Sequence, residues 1–460
     1  MIHPVKRRQF VHVAAQAVVA VGWGQEPEEP VPDYYVPGQR GYETARRPFN
    51  AEIRSLPGVI AACESELQIM TAIERARSEK RSIAIKSGGH SFEGFSLNEG
   101  GMVIELSRMA QPLLTDEKRM VTGPGITLGQ VNDFLLSKGR LLPAGSCSGV
   151  GLAGLTLGGG YGFFSRQYGL TCDHLERVRM LDGRGHIVDS AKDPDLLWAC
   201  RGGGNGHFGV ITTMVFRTVK APVALAAQRF KAGPLTVAQC QKRIRAWFEM
   251  AEGLPYPMYS GCVVNGKNIT VLLTSTSAVS GPAFKRAGKA LSEAGFVAGA
   301  ATNAPLATAI RRYYGVQRPL PFRNFCGGMA YGYGDYEPAL GGVIEEVQRT
   351  GLIFQINTLG GAIMREVDGA YPHRQKRFLA EVQAYWEAAA QQERRVAGAE
   401  KVRALLGEHV TAHYANYPNV NFTNWQGAYY GASYKRLQEL KRRYDPENLF
   451  QHAQSVSLPD

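Results

Sequence analysis

The chain has 460 residues, 44% hydrophobic and 20% charged, enough for two globular domains with sizeable cores. Its formal net charge is +12, but the basic residues are scattered, with no Lys/Arg block interleaved with aromatics, which speaks against nucleic-acid binding. The seven cysteines form no C-x-x-C pair, so no structural zinc site is expected. Their odd number leaves at least one outside any internal disulfide.

Lys6-Arg7-Arg8-Gln9-Phe10-Val11 and the modest apolar run to Val21 resemble a twin-arginine export signal. A basic tail is the plainer reading. The run is too short to span a membrane stably, and no later run is long enough. Gln25 to Pro37 is acidic and proline-rich and reads as a linker. Ser65 to Lys80 has apolar residues at Leu67, Met70, Ile73 and Ala76, a helical period, and Ile83-Ala84-Ile85 reads as a strand. A second helix carries Leu128, Val131 and Leu135 and closes at Gly139. Asp173 to Met180 reads as a strand running into a tight turn at Leu181-Asp182-Gly183-Arg184-Gly185. Beyond Val219, helices are expected at Thr236–Glu252, Pro282–Gly295 and Pro338–Arg349. Tyr259–Val264 and Ile269–Thr274 flank Asn265-Gly266-Lys267-Asn268, a hairpin signal. Phe378 to Trp386 can alternate as a strand with Glu381, Gln383 and Tyr385 on one face. A last helix is expected from Tyr434 to Tyr444. The pattern is α+β, with an antiparallel sheet in the middle part.

Three glycine clusters lie before residue 210: Gly88-Gly89, the run from Gly145 to Gly162, and Gly202 to Gly209. Glycine lets backbone approach a ligand, and turns with consecutive free N–H groups make nests for anions such as a diphosphate. Gly149-Val150-Gly151-Leu152-Ala153-Gly154 fits G-x-G-x-x-G, with Asp173 about 20 residues on. Yet no strand signal precedes it, and Gly158-Gly159-Gly160 would break the following helix. A nicotinamide Rossmann unit is therefore not expected. His90 and Cys147 are nucleophilic side chains beside flexible backbone. Their plainer readings are a turn histidine bonded to nearby backbone and a small buried thiol.

Several stretches together resemble the berberine-bridge-enzyme-like branch of the vanillyl-alcohol-oxidase flavoproteins, from about Tyr42 to Val456. They are Lys86–Ser91, Gly145–Gly162, Leu196–Val210, Tyr429-Tyr430-Gly431 and Lys441–Phe450. The resemblance implies a two-domain PCMH-type FAD-binding fold. Residues 1–38 would be signal and linker, 39–222 and 409–460 the two parts of the FAD-binding domain, and 223–408 a substrate domain roofing the isoalloxazine. It implies FAD attached twice, through His90 and Cys147. Ser87, Gly88, Gly89, Ser91, Gly149, Val150, Gly151, Gly154, Gly158, Gly159, Gly160, Gly162, Gly209, Val210 and Asn416 would surround it.

The resemblance further implies an oxidoreductase that takes a hydride from a C–OH or C–H bond of a sugar, phenolic or other secondary metabolite. Oxygen would accept the electrons and give hydrogen peroxide. A dehydrogenase with a quinone or protein acceptor is an alternative, as is a flavin-binding module without activity. Glu381 occupies a position where the family carries a catalytic Glu or a Gln. His413–Pro418 is similar to the family's Tyr-x-Asn-Tyr segment, with Tyr414 and Asn416 on one strand face. Tyr414 is the preferred base and Tyr417 a second candidate, although a phenol of pKa about 10 needs help to act near pH 7. Thr156 falls near the position that the family associates with oxygen access. The expected location is periplasmic or secreted, and no membrane span, metal or nucleic acid is expected.

Overall fold

The computed structural model describes residues 31–460. The first sheet contains β1 (Asp33–Tyr35), β2 (Val59–Ala62), β3 (Ile83–Lys86) and β4 (Met102–Glu105) in the order β1-β2-β4-β3. Its β2-β4-β3 part is parallel, and β1 runs antiparallel along β2. The stretch read as a linker therefore enters the sheet at Asp33. There the guanidinium of Arg75 lies 4.3 Å over the Tyr34 ring, and Asp33 pairs with Arg108 at 2.6 Å. The expected helix forms over Glu66–Ser78, N-capped by Ser65. It buries Ile69, Ala72, Ile73 and Ala76 against the parallel strands, while Leu67 is 39% exposed. The apolar stripe is thus the i, i+3, i+4, i+7 set beginning at Ile69.

The chain continues through β5 (Pro112–Leu114), β6 (Arg119–Thr122), β7 (Arg140–Leu141), β8 (Leu175–Asp182), β9 (Ile187–Asp189), β10 (Gly209–Arg217) and β11 (Val219–Lys220). Five of these form an antiparallel sheet in the order β5-β6-β10-β8-β9, and β7 pairs with β11. Strand β8 begins two residues later than expected because Thr171–His174 winds as a 3-10 turn. The tight turn after it is held by Asp182, whose Oδ1 accepts from Arg184 N and His186 N.

A third sheet holds β12 (Ala224–Ala232), β13 (Met258–Asn265), β14 (Asn268–Ser275), β15 (Val297–Ala298), β16 (Thr302–Pro305), β17 (Phe322–Ala330), β18 (Ile353–Thr358) and β19 (Phe378–Tyr385). Its order is β15-β12-β14-β13-β18-β19-β17, with β16 also on β12, and every pairing is antiparallel. The β13–β14 hairpin closes on Gly266-Lys267, with Gly266 at φ +55°. Helices Val237–Glu252, Pro282–Glu293, Tyr333–Thr350 and Ala389–Gly407 contribute to the large core that includes Phe354, Ile356, Phe378, Ala380 and Val382. The third of them starts a turn before Pro338. Tyr336 anchors that turn, fully buried, donating to Gly328 O at 2.8 Å.

Residues 32–460 form one compact unit. Arg166 ties the glycine-rich part to the third sheet by donating to the carbonyls of Leu254, Met258 and Leu359. The last helix, Tyr434–Tyr444, fixes the C-terminal segment. Its Lys441 is fully buried, and the ammonium meets His207 O (2.8 Å), Asp445 Oδ2 (2.6 Å) and Phe450 O (2.6 Å), one acceptor per N–H. Asp445 in turn accepts from Leu449 N and Phe450 N. This brings Leu449 O to Ile83 N at 2.7 Å, extending β3. No helix among the described residues is long and apolar enough to cross a membrane, and the twin-arginine stretch lies outside them.

Candidate active site

Strand β3 delivers the first loop. Lys86 at its end is buried and faces Glu105 at 3.7 Å. Ser87 Oγ donates to Pro124 O at 2.6 Å. A Cβ on Gly88 would sit 2.3 Å from Gly151 N, so this loop is seated directly on the second glycine loop, and Gly89 turns at φ +67°. His90 stacks on Phe49 at 4.1 Å, and its ring nitrogens make no hydrogen bond among the described residues. It is therefore not a turn histidine bonded to backbone. Burial lowers its pKa to about 4, leaving a neutral imidazole at pH 7. The five successive N–H groups from Ser87 to Ser91 donate to no protein acceptor among the described residues.

The second loop meets the first at Gly149, where a Cβ would lie 2.8 Å from His90 Nε2. Cys147 is exposed rather than a buried core thiol. The protein packed around it, and then the charge of Glu381, push its pKa up. A short helix, Leu152–Leu157, follows without a preceding strand and stops at Gly158, so the G-x-G-x-x-G match is not a dinucleotide fingerprint. Within it Gly154 faces open space, whereas Thr156 is fully buried and donates to Leu152 O at 2.7 Å. Most other glycines here are required by contacts inside the protein. A Cβ would come within 2.3 Å of Ser87 Oγ at Gly151, 2.1 Å of Asn416 Oδ1 at Gly158, and 2.5 Å of Thr171 Oγ1 at Gly160. At Gly162 it would come within 2.1 Å of Ala144 O, while at Gly159 it would touch the Tyr371 ring at 3.1 Å. Gly209 and Val210 begin β10. Gly209 abuts Leu181 O, and the Val210 side chain is packed in the core with Ile69 and Ile83. Its side chain is thus turned to apolar packing.

Residues 413–418 form a turn, not the expected strand. Tyr417 N donates to Tyr414 O (2.9 Å), and Cys326 N of β17 donates to Tyr417 O (2.9 Å). Tyr414 and Asn416 nevertheless meet. The buried Tyr414 hydroxyl accepts from Asn416 Nδ2 and from Gly160 N, both at 2.9 Å. Asn416 also donates to Leu155 O and accepts from Asn205 Nδ2. Tyr414 thereby pins the triple-glycine loop, and burial raises its pKa. The Tyr417 hydroxyl instead lies 2.8 Å from that of Tyr161. Asn357 Nδ2 donates to Tyr161 Oη at 3.2 Å, while its Oδ1 accepts from Tyr259 (2.6 Å) and Gln355 (2.8 Å).

Glu381 lies on β19 opposite Cys326 and Gln355. The alternation holds: Ala380, Val382 and Ala384 fill the helix-side core, and Glu381 faces the other way at 6% exposure. Burial raises its pKa to about 7, against a hydrogen bond with Gln383 that lowers it. Its charge is felt at Cys147, Tyr161, Tyr259, Tyr385 and Tyr417, so these groups lie within electrostatic reach of one carboxyl. Of the candidates, Glu381, Tyr417 and Cys147 converge there, and Tyr414 acts through the glycine loop. Tyr161, Asn357 and Tyr259 were not expected. Tyr161 had a readable signal, a large phenol set between Gly160 and Gly162.

These residues fit FAD: a run of unsatisfied N–H groups suits a diphosphate, and an unbonded imidazole and an accessible thiol sit on touching loops. A mixed fold carrying such a site defines a flavin-linked oxidoreductase. The family model described as "FAD binding domain" matches residues 57–191, and "Berberine and berberine like" matches 413–457. An FAD-linked oxidoreductase of Bacillus subtilis, YvdP, is 30% identical, covering 91% of this chain and 96% of that protein. The chitooligosaccharide oxidase of Gibberella zeae is 28% identical over 91% of each. The crystal structure of aclacinomycin oxidoreductase superposes with a TM-score of 0.85 at 23% identity, covering 94% of this chain and 100% of that one. The chain belongs to the berberine-bridge-enzyme-like family of FAD-linked oxidoreductases.

Proposed function

We propose that the protein is an exported oxidase that takes a hydride from a C–OH or C–H bond of a sugar, phenolic or other secondary metabolite and passes the electrons to oxygen, giving hydrogen peroxide. The observation that carries this reading is the corner where Glu381 and the Tyr161–Tyr417 hydroxyl pair stand beside Cys147. FAD, when bound, supplies the two-electron acceptor. His90 and Cys147 would hold it covalently, the first a neutral imidazole and the second an exposed thiol. Residues 39–222 and 409–460 form the flavin half, and residues 223–408 the roof.

Glu381 takes the proton that leaves the substrate. A carboxyl group titrating near 7 is suited to accept a proton at neutral pH. Tyr161 and Tyr417 hold the substrate oxygen and relay that proton. What favours Glu381 over Tyr414 is that burial raises the pKa of the Tyr414 phenol further still, outweighing the two hydrogen bonds its hydroxyl accepts. The sugar arm of the reading is supported by the likeness to chitooligosaccharide oxidase.

The test begins with purification and denaturation. Flavin colour stays with the unaltered protein, His90→Ala and Cys147→Ala each keep one bond, and the double variant releases it. Flavin that washes out of the unaltered protein refutes double attachment. Peroxide formed in air with a sugar and phenol panel supports the oxidase. Reduction of a quinone without peroxide moves the assignment to a dehydrogenase. Arg7→Lys/Arg8→Lys blocks export if the signal is of twin-arginine type.

A further inference from the structure

Beside Cys147 lies a loop, residues 311–318, whose charged residues are all arginines: Arg311, Arg312 and Arg318. Its seat at the site is fixed. Ser148 N donates to Tyr314 O at 3.1 Å, and a Cβ on Gly315 would touch Cys147 Sγ at 3.4 Å. Arg311 is neutralised by Asp133 at 2.8 Å. Arg312 and Arg318 are exposed and have no carboxylate partner among the described residues, and the same holds for Arg229 on β12. Arg323 on β17, by contrast, is already paired with Glu93 and Glu400. A single surface arginine without a partner means little. Two that act on one ring do more: the charges of Arg229 and Arg312 are both felt at Tyr313.

Tyr313 is also the outer end of a row of rings leading to the reacting corner. It packs edge-on to Phe163 (4.8 Å), which packs edge-on to Tyr259 (5.1 Å). Tyr259 donates to Asn357, the residue that donates to Tyr161. A packed row of three rings thus links the Glu381 corner to the loop that carries Arg312 and Arg318. An unpaired guanidinium on that loop suits a carboxylate or phosphate.

We infer that the substrate is anionic: a ring compound whose oxidised carbon sits at the Glu381 corner and whose carboxylate, or an equivalent oxyanion, is met by Arg312 and Arg318. This rests on the oxidoreductase reading of the same site and adds the charge of the substrate.

The holoenzyme is titrated with two probes of one skeleton, 4-nitrophenyl β-D-glucuronide and 4-nitrophenyl β-D-glucoside, by calorimetry at low ionic strength and in about 0.5 M salt. The glucuronide is expected to bind about tenfold more tightly at low salt, with most of the difference lost at high salt, since exposed charges are screened. Arg312→Gln/Arg318→Gln, both surface changes, removes the difference and leaves glucoside binding unchanged. Equal binding of the two probes, binding of neither, or a preference that survives the double substitution overturns the inference. Peroxide release is measured separately. An intact charge preference without peroxide sinks the oxidase reading alone.

Discussion

Replacing Glu381 by Gln keeps the shape of the side chain and removes its titration. In the folded protein burial lifts this carboxyl from the ordinary glutamate value of 4.5 to about 7. Between those values the folded protein keeps the proton while the unfolded chain has released it. Stability therefore falls as pH rises through that window and levels off above about 7. Two and a half pH units at roughly 1.4 kcal/mol each bound the penalty at about 3.5 kcal/mol. Glu381→Gln is spared it: its melting temperature should match the parent near pH 4 and exceed it by several degrees at pH 8. Differential scanning calorimetry of both holoenzymes across that range reads the gap without any substrate. Anaerobic flavin reduction supplies the second reading. The parent rate should rise through a midpoint near 7, and the variant should be about 10²- to 10⁴-fold slower, without that limb. A melting gap that is flat with pH refutes the burial argument. An unchanged pH profile refutes the role as base.

Tyr161→Phe and Tyr417→Phe should each slow flavin reduction about 10²-fold, and the double variant should be little worse than either, because both delete one shared hydrogen bond. Tyr414→Phe should instead cost about 1 kcal/mol of stability and some flavin retention, with a smaller effect on rate, since its hydroxyl holds Gly160 and Asn416. Lys441→Met strands the buried Asp445 and should destabilise by about 3–5 kcal/mol. Adding Asp445→Asn should recover part of that in a thermal-melt cycle. Gly158→Ala puts a methyl 2.1 Å from Asn416 Oδ1 and should lower flavin content. Asn416→Ala in the same chain should restore some of it, and no recovery would place the strain elsewhere.

The strand with Glu381 was legible because alternation survives translation into structure: one face had to be apolar for the helices to pack on it, and the polar face was then left for the candidate site. The hairpin at Gly266 was legible for a similarly local reason. The Tyr414 segment is a turn where its sequence reads as a strand, because its shape is set by Cys326 on a distant strand, which donates its N–H to Tyr417 O and accepts from Tyr414 N on Sγ, partners no local pattern could show. Tyr161 was overlooked because the glycines around it read as loop, whereas its importance comes from Asn357 and Tyr417, far away in sequence. Nor could the glycine clusters reveal that most of them serve contacts between loops. Only coordinates separate a glycine that admits a ligand from one that admits a neighbouring carbonyl. Asp33–Tyr35 looked like linker by composition and became a strand because β2 offered it an open edge.

The pairing of Leu449 with Ile83 has a consequence for the order of events at the ribosome. The strand that leads into the His90 loop emerges early, yet one of its edges is completed by residues made only after the whole antiparallel sheet. Until the Lys441 knot closes on His207 and Phe450, a nascent chain has a His90 loop without its final support. Cofactor capture then belongs to the finished chain, after synthesis, and not to the growing one.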